Sequence, residues 1–342
     1  MRRILCFFLA LCLLPVAGFA EIKKPQHMNA LTFLHRYLYA MEAIGAAEAA
    51  YTFTPVLYTD IAEDEIYVMF NSLRLTLDRN THDILYIDCA YSYEDNENVD
   101  ILYQMVPAVI FALSENDLSQ EYHRNLLNKG ALVPYKDPAA ARMLVDAINE
   151  SGGEVNGYYG SANGQGEIQF RPNWFNSPPR APFFPPDNAQ PMTRGVHLYQ
   201  FYTAFYFAND LVSTAALAEP PTLRSSILDL LSYRVAPHTT IGVLSDTLEV
   251  IDSDCFFVRS KDELDLGDLQ EVLICLFALS ERPLLTEKKI LSQDRFLNDF
   301  WDKDALNAYL NKLLDEAMVG TYSFYLYDTS PKSVSYWTSS NE

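Results

Sequence analysis

One stretch of this chain occurs twice, and that limits the fold more than any other feature of the sequence. Residues 85–115 align with residues 251–281 at a shift of 166 positions, without a gap, with 10 identities in 31 positions. Asp88 and Cys89 meet Asp254 and Cys255; Glu97, Gln104 and Val106 meet Glu263, Gln270 and Val272. Phe-Ala-Leu-Ser-Glu at 111–115 returns at 277–281. Side chains alternate in a strand and return every third or fourth residue in a helix. An ungapped match across a strand-like run, an acidic loop and a helical run keeps both periods in register, so it points to two copies of one structural unit. The expected class is α+β, a tandem duplication of a unit with a small antiparallel sheet and packed helices.

The rest of the chain is read around that match. Residues 26–171 form the expected first unit and 193–340 the second. Between them, 172–192 carries seven prolines, too many for regular structure, together with Trp174, Phe175, Phe183 and Phe184. These four aromatics are the candidate ligand-binding residues, placed in a crevice between the halves or in an exposed recognition segment. In the first unit, apolar residues at helical spacing predict a helix from about 29 to 50. Strands are expected at 65–70, 73–77 and 84–93, then a helix at 101–113 interrupted by Pro107. Further helices are expected at 117–128 and 139–148, and two strands at 154–159 and 167–171. In the second unit an aromatic-rich helix is expected near 195–217 and another helical run at 222–233. Strands follow at 239–243, 247–251 and 255–259, then helices at 268–279 and 302–318. A hairpin over 321–327 and 333–338 closes the unit.

Arg2 and Arg3 precede an apolar run from 4 to 17, and Gly18-Phe19-Ala20 supplies small residues for a cut after Ala20. That is the pattern of a secretory signal peptide, residues 1–20, so the mature chain is expected to begin at Glu21 and to act in the periplasm or outside the cell. No later stretch has the length of a membrane span. The chain has 45 acidic and 25 basic side chains, a formal charge of −20. Such a surface repels nucleic acid backbones and anionic lipid; it is compatible with cationic ligands or divalent metals, and otherwise reads as a solvated surface. Cys89, Cys255 and Cys275 remain after cleavage, an odd number and too few for a disulfide scaffold. They are expected to be buried free thiols.

No motif specifies a reaction. Nucleotide-binding glycine loops, GxSxG, HExxH and CxxC are all missing from the sequence. The six histidines are scattered, so no metal site and no cofactor are assigned. The acidic loop 94–100 reads as a solvated helix cap. Asp88 and Asp254 are the obvious equivalent carboxylates, expected to serve structure. The reading is an exported, non-enzymatic binding or assembly protein whose partner is a protein or a small molecule. The alternative is an extracellular hydrolase that uses dispersed carboxylates.

Overall fold

Among the described residues, fourteen strands divide between two sheets, and each sheet is built in the same order. The computed structural model describes residues 28–46, 54–70, 73–89, 99–113, 153–155, 158–162, 168–172, 188–192, 195–212, 219–280, 299–330 and 333–340, with a few isolated positions besides. In the first unit, helix α1 (Ala30–Ala43) is followed by β1 (Val56–Tyr58), β2 (Glu65–Phe70), β3 (Leu73–Asp78) and β4 (Ile84–Cys89). Helix α2 (Val99–Leu113) comes next, and the unit closes with β5 (Gly153–Val155), β6 (Tyr158–Ala162) and β7 (Ile168–Pro172). In the second, α3 (Leu198–Val212) leads to β8 (Thr222–Ile227), β9 (Leu230–Arg234), β10 (Thr239–Leu244) and β11 (Val250–Phe257). Helices α4 (Leu266–Leu279) and α5 (Lys303–Glu316) precede β12 (Met318–Val319), β13 (Tyr322–Ser330) and β14 (Ser333–Ser340).

The first sheet runs β1-β2-β3-β4-β7-β6-β5 and the second, from its matching edge, β8-β9-β10-β11-β14-β13-β12. All neighbours are antiparallel. Register agrees residue by residue. Leu73 faces Cys89 as Thr239 faces Cys255, and the ladder slips at Thr76/Leu77 in one copy and at Gly242/Val243 in the other. A bulge at the same place in both copies is a built feature of the unit. At Gly242 a β-carbon would meet the Asp252 carboxylate, so a side chain there would have to displace that carboxylate. The chain is therefore a tandem duplication of an α+β unit, with seven strands per sheet where a small sheet was expected.

Each copy ties its first helix to its sheet with a buried tyrosine. The Tyr158 hydroxyl accepts from the Met28 amide at 3.2 Å and donates to the Ile84 carbonyl at 3.1 Å. Tyr322 does the same between Val196 (3.3 Å) and Val250 (2.6 Å). A turn residue with left-handed backbone, His82 (φ 57°) or Leu248 (φ 58°), offers its carbonyl to the first amide of α1 or α3. Asn29 and His197 occupy the matching N-cap position, each bridged to the sheet, at Asp83 and Glu249.

The units share one continuous buried cluster. The hydroxyl of Tyr202 on α3 hydrogen-bonds His35 Nδ1 on α1 at 2.8 Å, and the Tyr206 ring meets the His35 ring edge-on at 5.7 Å. His197 Nε2 reaches the Pro55 carbonyl at 2.9 Å, and the Met192 amide donates to Leu57 of β1. The aromatic residues of α3 were expected to be covered on more than one side, and Tyr199, Phe201, Tyr202 and Phe205 are fully buried.

The expected helix over 222–233 is instead the hairpin β8–β9. Apolar residues at Leu223, Ile227, Leu230 and Leu231 imitate a helical stripe, but Leu223, Ile227 and Leu228 project into solvent. Leu228 adopts φ 54° between the two strands, which a continuing helix does not permit. Met318, expected at a helix end, pairs instead in β12, and the expected strand at 154–159 divides into β5 and β6. The expected helix at 117–128, the loop 94–98 and the leader lie outside the described residues, as does the expected helix at 139–148 apart from Met143, which is helical.

Candidate functional site

The second unit has a cavity of about 490 Å³ where α3, the β9–β10 turn and the start of α4 meet. Phe205 and Asn209 enter from α3, Glu219 and Pro220 from the approach to β8, and Val235 to His238 from the turn. Asp265, Asp268, Gln270, Glu271 and Ile274 come from α4 and its cap. That volume lies within the usual range for small-molecule sites.

Local chemistry holds the walls. Arg234 folds over the turn and donates to the carbonyls of Ala236 (3.2 Å) and Pro237 (2.8 Å). Glu271 Oε1 accepts from the His238 amide and from the Thr239 hydroxyl, each at 2.8 Å. The α4 end is a capping box: Asp265 Oδ1 accepts from the Asp268 amide at 3.0 Å, and Asp268 Oδ2 accepts from the Asp265 amide at 2.9 Å. Arg259 also reaches Asp268 at 2.9 Å. The Gln270 side-chain amide donates to the Phe300 carbonyl at 3.1 Å. Behind the wall, Thr239 shares a hydrogen bond with Cys255 at 3.3 Å, and the Cys275 thiol donates to Ser253 at 3.3 Å.

Among the described residues, four carboxylates line the cavity with one arginine, Arg234, and Arg259 pairs with Asp265 and Asp268 at its edge. A helix N-terminus contributes about half a positive charge. Asp265 and Asp268 already answer it, so the field inside remains negative.

The matching positions of the first unit carry larger or apolar side chains. Met105 stands for Glu271, Phe70 for Val235, Tyr37 for Phe205 and Met41 for Asn209, by sheet register and by the paired N-caps. All four first-unit side chains are buried. The turn differs too. Phe70 pairs directly with Leu73, leaving two residues between them, whereas Val235 bonds to Thr239 across three. Smaller side chains, one extra turn residue and a carboxylate in place of a thioether open the second copy.

Sequence reasoning missed this site, although its signal was present. In the repeat alignment Glu271 stands opposite Met105 and Asp268 opposite Leu102. Replacement of an apolar residue by an acid at a core-facing position marks a copy that has stopped filling its own core. Trp174, Phe175, Phe183 and Phe184 lie outside the described residues. Asp88 and Asp254 occupy equivalent places in separate sheets: Asp88 accepts from Gln169 at 2.6 Å, and Asp254 accepts from the Ser335 hydroxyl. Cys89, Cys255 and Cys275 are buried and free. Burial pushes the Cys89 thiol up, and hydrogen bonding to Cys275 together with burial does the same at Cys255. Among the described residues, no group of three histidine, cysteine or acidic side chains is placed to hold a metal ion, and no helix is long and apolar enough to cross a membrane. No family model matches the chain, and no match is found among curated proteins or among solved structures.

Proposed function

We propose that the chain is an exported binding protein whose second unit takes up a small molecule with an apolar body and a protonated amine. The observation that carries this reading is the acidic wall of the second-unit cavity, at positions where the first copy has apolar residues such as Met105. Phe205, Val235 and Ile274 suit the apolar body. Glu271, at the foot of the turn, suits the amine, because a half-buried carboxylate gains from a charge-assisted hydrogen bond to a partner of opposite charge.

A second reading, hydrolysis by paired carboxylates, draws on Asp268 and Glu271 in the same cavity. Binding is favoured because Asp265 and Asp268 bond each other's amides and Glu271 holds the turn. Those are tasks for a fixed ionised acceptor more than for a group that passes a proton.

Calorimetric titration of the mature chain tests the reading with 2-phenylethylamine and octylamine, each against the alcohol of equal length. The amines are expected to bind and the alcohols to bind at least tenfold more weakly. Glu271→Gln keeps an acceptor for His238 and Thr239 but removes the charge, so amine affinity should fall about tenfold, a difference of about 1.4 kcal/mol. Equal binding of amine and alcohol, or no saturable binding of either amine, would overturn it. Steady turnover of a chromogenic ester or glycoside, lost in Glu271→Gln, would favour the second reading.

A further inference from the structure

The outer face of the second sheet, turned away from the helices, carries an arrangement unrelated to the cavity. Cross-strand register places Thr240, Asp254, Trp337 and Tyr325 in one row, and Phe256, Ser335 and Tyr327 in the next. Residues directly opposite one another across strands share a face. Tyr325 stacks on Trp337 at 5.6 Å with 28° between the planes, and Tyr327 lies 6.0 Å from Trp337 and 6.2 Å from Tyr325. Tyr325, Tyr327 and Phe256 are 41%, 48% and 45% exposed, so the aromatic plate is open to solvent.

Asp252 and Asp254 border this plate. Burial raises both carboxyl pKa values. Asp252 is raised further by the charge of Asp254, while Gly242 and Ser335 respectively oppose the shifts through hydrogen bonds. Strands β11, β13 and β14 contain no lysine, arginine or histidine. Arg234, one strand beyond Thr240, is turned toward the carbonyls of Ala236 and Pro237.

The first copy indicates what belongs beside such a carboxylate. There the counterpart of Asp254 is Asp88, and the residue directly opposite it on β3 is Arg74. On its other side stands Gln169, whose amide it accepts. In the second copy these two places are Thr240 and Trp337. The built-in cation has been replaced by a small hydroxyl, and the amide by an exposed aromatic ring.

We infer that this face docks a basic polypeptide segment, with an arginine guanidinium seated beside Asp254 and stacked on the Trp337–Tyr325 plate. Charge complementarity selects the partner: two carboxylates without a cation in their strands, on a chain of net charge −20. Guanidinium is the cation that both pairs with a carboxylate and lies flat on an aromatic face. Anionic polymers are excluded by the same charges. A neutral glycan fits the rings but leaves the missing cation unanswered.

The probe is fluorescein-labelled hexa-arginine, titrated into the mature chain with anisotropy detection at low and at near-physiological salt. Saturable binding is expected, weaker by at least tenfold at the higher salt. Thr240→Arg restores the first copy's arrangement and should reduce affinity at least tenfold, as should Asp254→Asn; Tyr325→Ser should reduce it about fivefold. The remote charge change Glu316→Gln and the cavity change Glu271→Gln should leave it unaltered, which separates this face from the cavity. Thermal melting of each variant confirms that it is folded. Hexa-arginine binding that is indifferent to Thr240→Arg and Asp254→Asn would overturn the assignment as mere attraction to an acidic surface. Salt-insensitive binding of chitohexaose, lost in Tyr325→Ser, without specific binding of hexa-arginine, would overturn it in favour of a glycan.

Discussion

Acidification of the protein from pH 6.5 to pH 4 is expected to remove about 3 kcal/mol of folding stability through one side chain, His197. This histidine is 2% exposed and takes the N-cap place of α3. Its Nδ1 accepts from the Gln200 amide at 3.2 Å, so Nε2 carries the proton and donates to Pro55. Burial lowers its pKa from the usual 6.5 to about 4, against the opposing effect of the Pro55 hydrogen bond. The sign follows from proton counting. Between pH 6.5 and 4 the unfolded chain binds a proton at this site and the folded chain does not, so stability rises with pH across that window and is lost as pH falls. His82 is lowered as well, chiefly by burial, and acts in the same direction. His197→Asn installs the residue that the first copy uses, since Asn29 caps α1 by accepting from Leu31 at 3.0 Å. Urea denaturation at pH 7 and pH 4.5 should show a smaller acid loss in His197→Asn than in the parent chain. Equal losses in both would remove His197 from the account.

Met105→Glu should cost the first unit about 4 kcal/mol, the penalty of burying a charge without a partner. Met105 is 2% exposed, and its counterpart in the second copy is already a glutamate. The difference lies in the surroundings. Glu271 has the His238 amide and the Thr239 hydroxyl; the first copy has Leu73 in the place of Thr239 and a shorter turn. Native stability of a domain is typically about 5–15 kcal/mol, so a loss of this size is a large share of the whole. Denaturation followed by circular dichroism should show a much lower midpoint. A variant as stable as its parent would mean that the two sites do not differ as described.

The duplication was legible in the sequence where its offset stays constant. Across β4, α2 and their partners β11 and α4 the shift is 166 throughout, and both periodicities survive it. Elsewhere the offset changes. Asn29 matches His197 at 168, and Tyr158 matches Tyr322 at 164, so the cap and the tyrosine tie are invisible to an ungapped comparison. Strand β8 was read as helix because it is an edge strand open to solvent along its whole length, and without a buried face no alternation is imposed on it. The exposed aromatic face was hidden for another reason. Tyr325, Tyr327 and Trp337 sit on neighbouring strands, and only register brings their rings together. The cavity depends on differences between the copies, whereas the sequence comparison was made on their identities.

Binding of octylamine by Val235→Phe tests the central claim most directly, that the second copy keeps open a space where the first copy carries larger or apolar side chains. Val235 lines the cavity, and its counterpart is the buried Phe70. The substitution writes the first copy's residue into the second. Calorimetric titration should then give no saturable binding, at a melting temperature no lower than that of the parent chain. Octylamine bound by a folded Val235→Phe variant with the parent's affinity would contradict the claim.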